Sequence, residues 1–207
     1  MPQEHPRSAT DVFINIPFDP AHEYLYLSLI AGLVASGLNP RCVVEIPSGD
    51  DRLARIFKLI SACPYSIHDL SAVRLSRKPF RVPRFNMPFE LGLAVALTLS
   101  SEGRHRFRIL EAVKHRAEQS LSDLKGYDAY IHHGRAEGVL DAILDMFSKL
   151  PGRPLEECED LVWAYRKLMR VRRVKLARTR DIFRADPFGK LVVAARELVA
   201  VRHGGPP

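Results

Sequence analysis

Short apolar runs alternate with longer segments of helical periodicity along the first 150 residues, and this alternation constrains the fold more than any single motif. Residues 11–18, DVFINIPF, form an apolar run closed by Asp19-Pro20 and read as a buried strand. From Ala21 to Gly37, the side chains of Tyr24, Leu25, Leu27, Leu29, Ile30, Leu33 and Val34 recur at close to helical spacing, and Gly37 supplies the stop. A second strand is expected over 41–46, then a turn through Pro47-Ser48-Gly49-Asp50. Asp50 or Asp51 is placed to cap a helix reaching about Ala62, with Leu53, Ile56, Phe57 and Ile60 on one face. A third strand, 65–70, precedes the stretch SAVRLSRKPFRVPRF, whose prolines exclude a central strand or a helix and leave a loop. Then follow a helix over 87–99, a strand over 106–112, a weak helix over 116–124, a strand over 127–132 and an amphipathic helix over 135–149. Such an order requires parallel strands with helices on both faces. The expected fold is an α/β, open, doubly wound parallel sheet of flavodoxin-like type.

Pro151-Gly152-Arg153-Pro154 breaks the pattern. Beyond it, 155–180 reads as a helix with Leu161, Val162, Tyr165, Leu168 and Met169 on one side, and 188–202 as another with Leu191, Val192, Ala195, Leu198 and Val199. The expected organisation is an α/β domain over 1–150 and a basic helical extension over 151–207. Charge divides along the same line: of the net +7, residues 151–207 carry 13 Lys and Arg against 7 Asp and Glu, and the first 150 carry 18 against 17. A near-neutral body excludes a nucleic-acid surface spread over the whole molecule. In 166–184, Arg and Lys alternate with apolar residues, which makes a basic amphipathic helix. Because its apolar stripe is continuous, packing on a second chain as a dimer arm, anchored by Trp163 and Tyr165, is expected ahead of contact with RNA, DNA or acidic lipid. No run approaches the ~18 to 20 uncharged apolar residues of a membrane span. The leader MPQEHPRSATD lacks the apolar core of an export signal, so a cytoplasmic location without membrane association is expected. Cys42, Cys63 and Cys158, an odd count without a CxxC, read as reduced thiols.

Open parallel sheets bind ligands beyond the C-terminal ends of their strands, where strand order reverses. The positions concerned are Asn15, Pro17, Phe18 and Asp19 after the first strand, and His68, Asp69, Leu70 and Ser71 after the third. Arg84, Phe85, Asn86, Met87, Pro88, Phe89 and Glu90 lead into the following helix. Glu90 opens an otherwise apolar helix; taken alone, it reads as an acid favoured by the helix dipole. Asn15, Asp69 and Asn86 read equally as turn-capping side chains. The first loop, IPFDP, is neither GxGxxG nor a Walker motif, which argues against a dinucleotide-dependent redox enzyme and a nucleoside triphosphatase. His132 and His133 are adjacent rather than at metal spacing, so no metal site is expected, and no serine sits in a GxSxG elbow.

Three segments, VFINIPFDP at 12–20, SIHDLS at 66–71 and RFNMPFELGLA at 84–94, together resemble the superfamily that unites TIR domains with nucleoside 2-deoxyribosyltransferases. Within it they are most similar to bacterial TIR-like proteins with a PFD first loop and an RFNMPFELG motif; SDLKGYDAYIHHG at 122–134 also resembles that group. The resemblance covers roughly residues 11–150. It implies N-glycosidic chemistry on a nucleotide, with Glu90 in the catalytic position of an Asn-x-x-x-Glu-Leu-Gly-x-Ala pattern. By the same resemblance Asn15, Asp69 and Asn86 bind ribose hydroxyls and Phe18 and Phe89 stack the base. Pro17, Asp19, Ser71 and Arg84 complete the substrate-binding set. NAD enters as a substrate, with no cofactor. The implied activity is ribosyl–base cleavage of NAD or a related nucleotide, in bacterial defence, with self-assembly completing the site. The alternatives are a non-catalytic nucleotide-binding or signalling module of the same fold, and base exchange on deoxynucleosides. The first loop departs from the Ser/Tyr-rich loop of TIR domains, and Asp19 is a loose counterpart of the deoxyribosyltransferases' early aspartate. The basic loop with Arg74, Arg77, Lys78, Arg81 and Arg84 either clamps a diphosphate or is simply solvated.

Overall fold

Five short strands, β1 (Asp11–Asn15), β2 (Asn39–Cys42), β3 (Tyr65–Asp69), β4 (Arg106–Glu111) and β5 (Tyr130–Ile131), pair in parallel in the order β2-β1-β3-β4-β5. This is the flavodoxin-like, doubly wound arrangement. The computed structural model describes residues 8–47, 49, 51–72, 85–148, 150 and 158–204. All five residues of β1 are buried, as a central parallel strand covered on both faces requires. The crossovers bring α1 (Glu23–Ala35) and α5 (Ala136–Phe147) together on one face, and α2 (Arg52–Ala62) and α3 (Asn86–Ser100) together on the other. A short α4 (Arg116–Ser120) follows β4.

Two further helices, α6 (Cys158–Lys175) and α7 (Ala185–Arg202), form a second layer over α1. The sequence explains why: Leu25 to Ala35 are buried without exception, and a helix apolar on all sides needs cover on all sides. Where α1 meets α5 the space is so close that a Cβ on Gly32 would lie 2.6 Å from the tip of Ile143. Phe183, between α6 and α7, packs its ring 5.1 Å from that of Tyr26 and 5.7 Å from that of Phe18. Arg172 of α6 reaches Glu23 at the start of α1, Nε to Oε1 3.0 Å. The apolar stripe that suggested a dimer arm is thus buried against the chain's own body, and Leu161, Leu168, Phe188 and Leu191 belong to the same core as β1.

Element boundaries shift where side chains capture the backbone. β1 ends at Asn15, not 18, because Pro17 has no N–H to offer and Asp19 caps a 3-10 turn, Pro20–His22. β2 covers Asn39–Cys42 rather than 41–46. Its ladder stops where Glu45 Oε1 accepts the Cys42 N–H at 2.7 Å and a 3-10 turn, Val43–Glu45, follows. The weak helix at 116–124 divides into α4 and a 3-10 turn, Ser122–Leu124. Asp51 precedes α2 in the left-handed region, φ 60°, and its side chain makes no cap; Asp50 lies outside the described residues. Of the expected α2 face only Ile56 and Ile60 are buried, while Leu53 and Phe57 are exposed. No helix among the described residues is long and apolar enough to cross a membrane.

Candidate functional site

Strand order reverses between β1 and β3, so Asn15 and Asp69 at their C-terminal ends mark the crevice. Asn15 and His68 are register partners and their side chains meet. The Asn15 amide nitrogen lies 3.0 Å from His68 Nδ1 and 3.1 Å from the Met87 carbonyl of α3. From there a buried chain runs along β3: His68 Nε2 to Ser66 Oγ 2.9 Å, Ser66 Oγ to His105 Nε2 3.0 Å, and His105 Nδ1 to the Cys63 carbonyl 2.8 Å. Its direction follows from its end. A carbonyl only accepts, so His105 Nδ1 donates, and in the singly protonated ring Nε2 accepts from the Ser66 hydroxyl. Ser66 then accepts from His68 Nε2–H, and His68 Nδ1 accepts from Asn15. His68 is neutral in this scheme, and burial first, with repulsion from His105 second, pushes it down to about 3.

Asn15 therefore ties the first turn of α3 to the sheet edge, and that turn sets Glu90. Asn86 and Glu90 are four residues apart on one side of α3; Asn86 is exposed at its first position, and Glu90 is buried below, 9% exposed. Among the described residues, Glu90 Oε2 has no hydrogen-bond partner. Burial pushes this carboxyl up to about 7, against the opposing pull of Arg52 at the start of α2. Its charge also reaches Cys42 at the end of β2. A buried carboxylate oxygen without a partner is rare in folded proteins and calls for an explanation beyond packing.

Side chains alternate along a strand, so Asp69 faces away from His68, toward α1 and α5. There Asp69 Oδ1 accepts the Ser71 N–H at 3.0 Å, and Oδ2 accepts the Ser71 hydroxyl and His132 Nε2, each at 3.0 Å. The Gly134 N–H donates to His132 Nδ1 at 3.1 Å, which leaves the ring proton on Nε2. Ser71 and Asp69 thus meet the same imidazole nitrogen, whereas a nucleophilic triad needs them on different ones. The three groups are a structural lock. Arg116 strengthens it, joining Glu111 Oε1 at 2.6 Å to the carbonyls of Ser71 at 2.5 Å and Leu70 at 3.2 Å. Asp69 is fully buried and Ser71 nearly so, and these bonds hold the loop after β3.

The remaining positions divide. Pro17 is buried, and Phe18 is half-buried against Tyr26 and Phe183, its outer ring partly engaged by the helical layer. Asp19 caps the loop through Ala21 N–H at 3.0 Å and His22 Nδ1 at 2.7 Å. Phe89 is 54% exposed beside Glu90 and is open to a ligand. Arg84 and the basic loop lie outside the described residues. The crevice thus gathers Asn15, Asn86, Phe89 and Glu90 on the α2–α3 side, and Asp69 and Ser71 lie across the sheet. Sequence reasoning gave no role to Ser66 or His105. The signal for Ser66 was its pairing with His68 two residues on, two polar side chains on one buried strand face that must find partners. His105 left no signal, because its partners, the Ser66 hydroxyl and the Cys63 carbonyl, lie 39 and 42 residues away in the sequence. A groove of about 560 Å³ between α6 and α7, lined among others by Val171, Leu176 and Val193, contains none of these residues. Neither a protein-family model nor a curated protein sequence matches this chain.

Proposed function

We propose that this chain is an N-glycosidase that cleaves the ribosyl–base bond of NAD or a related nucleotide, with Glu90 as the catalytic carboxylate. The observation that carries the reading is Glu90 itself: a buried carboxyl with an oxygen unpartnered among the described residues, on a helix pinned through Asn15 beside the strand-order reversal. Breaking the C1′–N bond of a nicotinamide ribosyl group sends the bonding electrons to the pyridinium nitrogen, so nicotinamide leaves neutral and needs no proton. Positive charge develops at C1′ instead, and a desolvated carboxylate beside it stabilises that charge or traps the carbon. Water then adds and gives up a proton to the carboxylate or to solvent. Phe89 supplies an exposed aromatic face for the base, and Asn86 an amide for the ribose hydroxyls. The role in bacterial defence rests on the resemblance of the RFNMPFELG segment alone.

The active form is the ionised one. With Glu90 at about 7, kcat/KM should rise about tenfold per pH unit below pH 7 and level off above it. Nicotinamide release from NAD, followed by chromatography at low and high protein concentration, tests the reading. Release abolished by Glu90→Gln supports it, and dependence on concentration indicates that assembly completes the site. Turnover that survives Glu90→Gln sinks the assignment. The second reading, a binding module, is favoured instead by ligand-dependent thermal stabilisation without any release.

A further inference from the structure

Residues 166–184 hold nine Lys and Arg and a single acid, Asp181. Arg172 is engaged by Glu23, and Lys167 lies over the Trp163 ring, 5.6 Å from its centre. The ion pairs of α6 and α7 are Arg172–Glu23, Lys190–Asp186 and Arg202–Asp160. Arg166, Arg170, Arg173, Lys175, Arg178, Arg180 and Arg184 are therefore exposed without an acidic partner among the described residues. Arg166, Arg170 and Arg173 follow at intervals of four and three, which sets them in one row on the side of α6 opposite buried Leu161, Ala164 and Leu168. The others continue through the α6–α7 connection, where Phe183 packs on Phe18 of the loop after β1. The basic ridge thus runs along α6 and ends at the rim of the crevice.

We propose that this ridge is a binding surface for the sugar–phosphate backbone of a nucleic acid. Six of the seven free cations are arginines, whose planar, multiply donating head groups suit phosphate oxygens. The row spans roughly 10 Å of helix axis, the length of about three phosphates of one strand. A membrane surface fits less well. A helix that lies on lipid inserts its apolar side, and here that side is buried against α1. Val174 is the one large apolar residue of α6 that is mostly exposed. The surface stands whether or not Glu90 is catalytic.

Fluorescence anisotropy of the full chain tests this with three labelled probes of about 20 nucleotides: single-stranded RNA, single-stranded DNA of the same sequence, and duplex DNA. The variant is R166Q/R170Q/R173Q, in which three exposed residues change, and K58Q on α2 is the control; unchanged melting temperatures show that both retain the fold. The full chain should bind at least one probe at 50 mM salt. The triple substitution should weaken that binding about tenfold or more and reduce the slope of log K against log salt by about 2, at ~0.7 per lost contact on a single strand. K58Q should change neither. Binding indifferent to the triple substitution, equal losses in K58Q, or no binding to any probe at 50 mM salt overturns the proposal. So does triple-sensitive binding to phosphatidylserine vesicles with none to the nucleic acids.

Discussion

Neutral His68 has no place for a second proton, because Nε2 already donates to Ser66 and Nδ1 faces the Asn15 amide N–H. This makes the interior of the sheet sensitive to acid. The imidazole titrates near 6.5 in the unfolded chain and near 3 in the folded one, so between these values the unfolded chain binds more protons. Stability should be full above pH ~6.5 and fall as pH drops toward 3, by at most ~1.4 kcal/mol per unit from this group. Carboxylates titrate in the same range, so the comparison that isolates His68 is the slope of stability against pH in the parent and in His68→Gln. Urea midpoints between pH 4 and pH 7 should show a shallower slope in the variant; equal slopes would mean that His68 is not held neutral by the fold. Asn15 is coupled to the same network. Asn15→Leu leaves the Met87 carbonyl and His68 Nδ1 without their donor, and should cost about 1–3 kcal/mol for each group left unpaired. Glu90 was legible in the sequence because a lone carboxylate in an apolar helix start stands out. The burial of Asp69 was not, since its partners, His132 and the Ser71 hydroxyl, are set by how β5 and the loop after β3 approach each other.

Among the elements, α5 illustrates how local preference yields to packing. Gly138 lies in its first turn, where alanine would favour the helix by about 1 kcal/mol. A Cβ there would sit 2.4 Å from the His132 carbonyl oxygen, a backbone atom that cannot swing aside as a side-chain tip does. Gly138→Ala should therefore destabilise the fold by about 1–3 kcal/mol, and a urea titration that finds the variant as stable as the parent would refute the close approach. The same contact fixes where His132 presents its ring to Asp69. Strand and helix identities were readable because periods of 2 and 3.6 differ over these lengths. Their ends were not. β2 stops at Cys42, whose backbone N–H donates to the Glu45 carboxylate three residues away, which no apolar pattern records. The partition of the crevice was half legible: alternation along SIHD puts His68 and Asp69 on opposite faces, but only the strand order tells which face carries α3.

At the scale of the whole molecule, the dividing line drawn from composition at Pro151 separates charge but not core. The sequence contained the clue. From Leu25 to Ala35, only Tyr26 and Ser28 carry a polar group, and neither is charged, so α1 had no face to offer solvent. A five-stranded sheet and α5 cover one side of it, and the other needs α6 and α7. Removing residues 151–207 uncovers Tyr26, whose ring packs 5.1 Å from Phe183 and 6.1 Å from Phe188, and strips the apolar contacts of Leu161, Leu168 and Leu191 from the same core. Burial of one large apolar side chain contributes about 1.5–3 kcal/mol. Losing several at once rivals the roughly 5–15 kcal/mol that hold an ordinary domain together. A chain ending at Leu150 should therefore lose its cooperative thermal transition, or aggregate through the exposed side of α1, as read by circular dichroism and light scattering. A monomeric fragment that melts cooperatively near the parent temperature would show instead that the α/β body is autonomous. The basic ridge would then be carried on a detachable arm, and the link between the arginine row of α6 and the rim at Phe18 would lose its structural necessity.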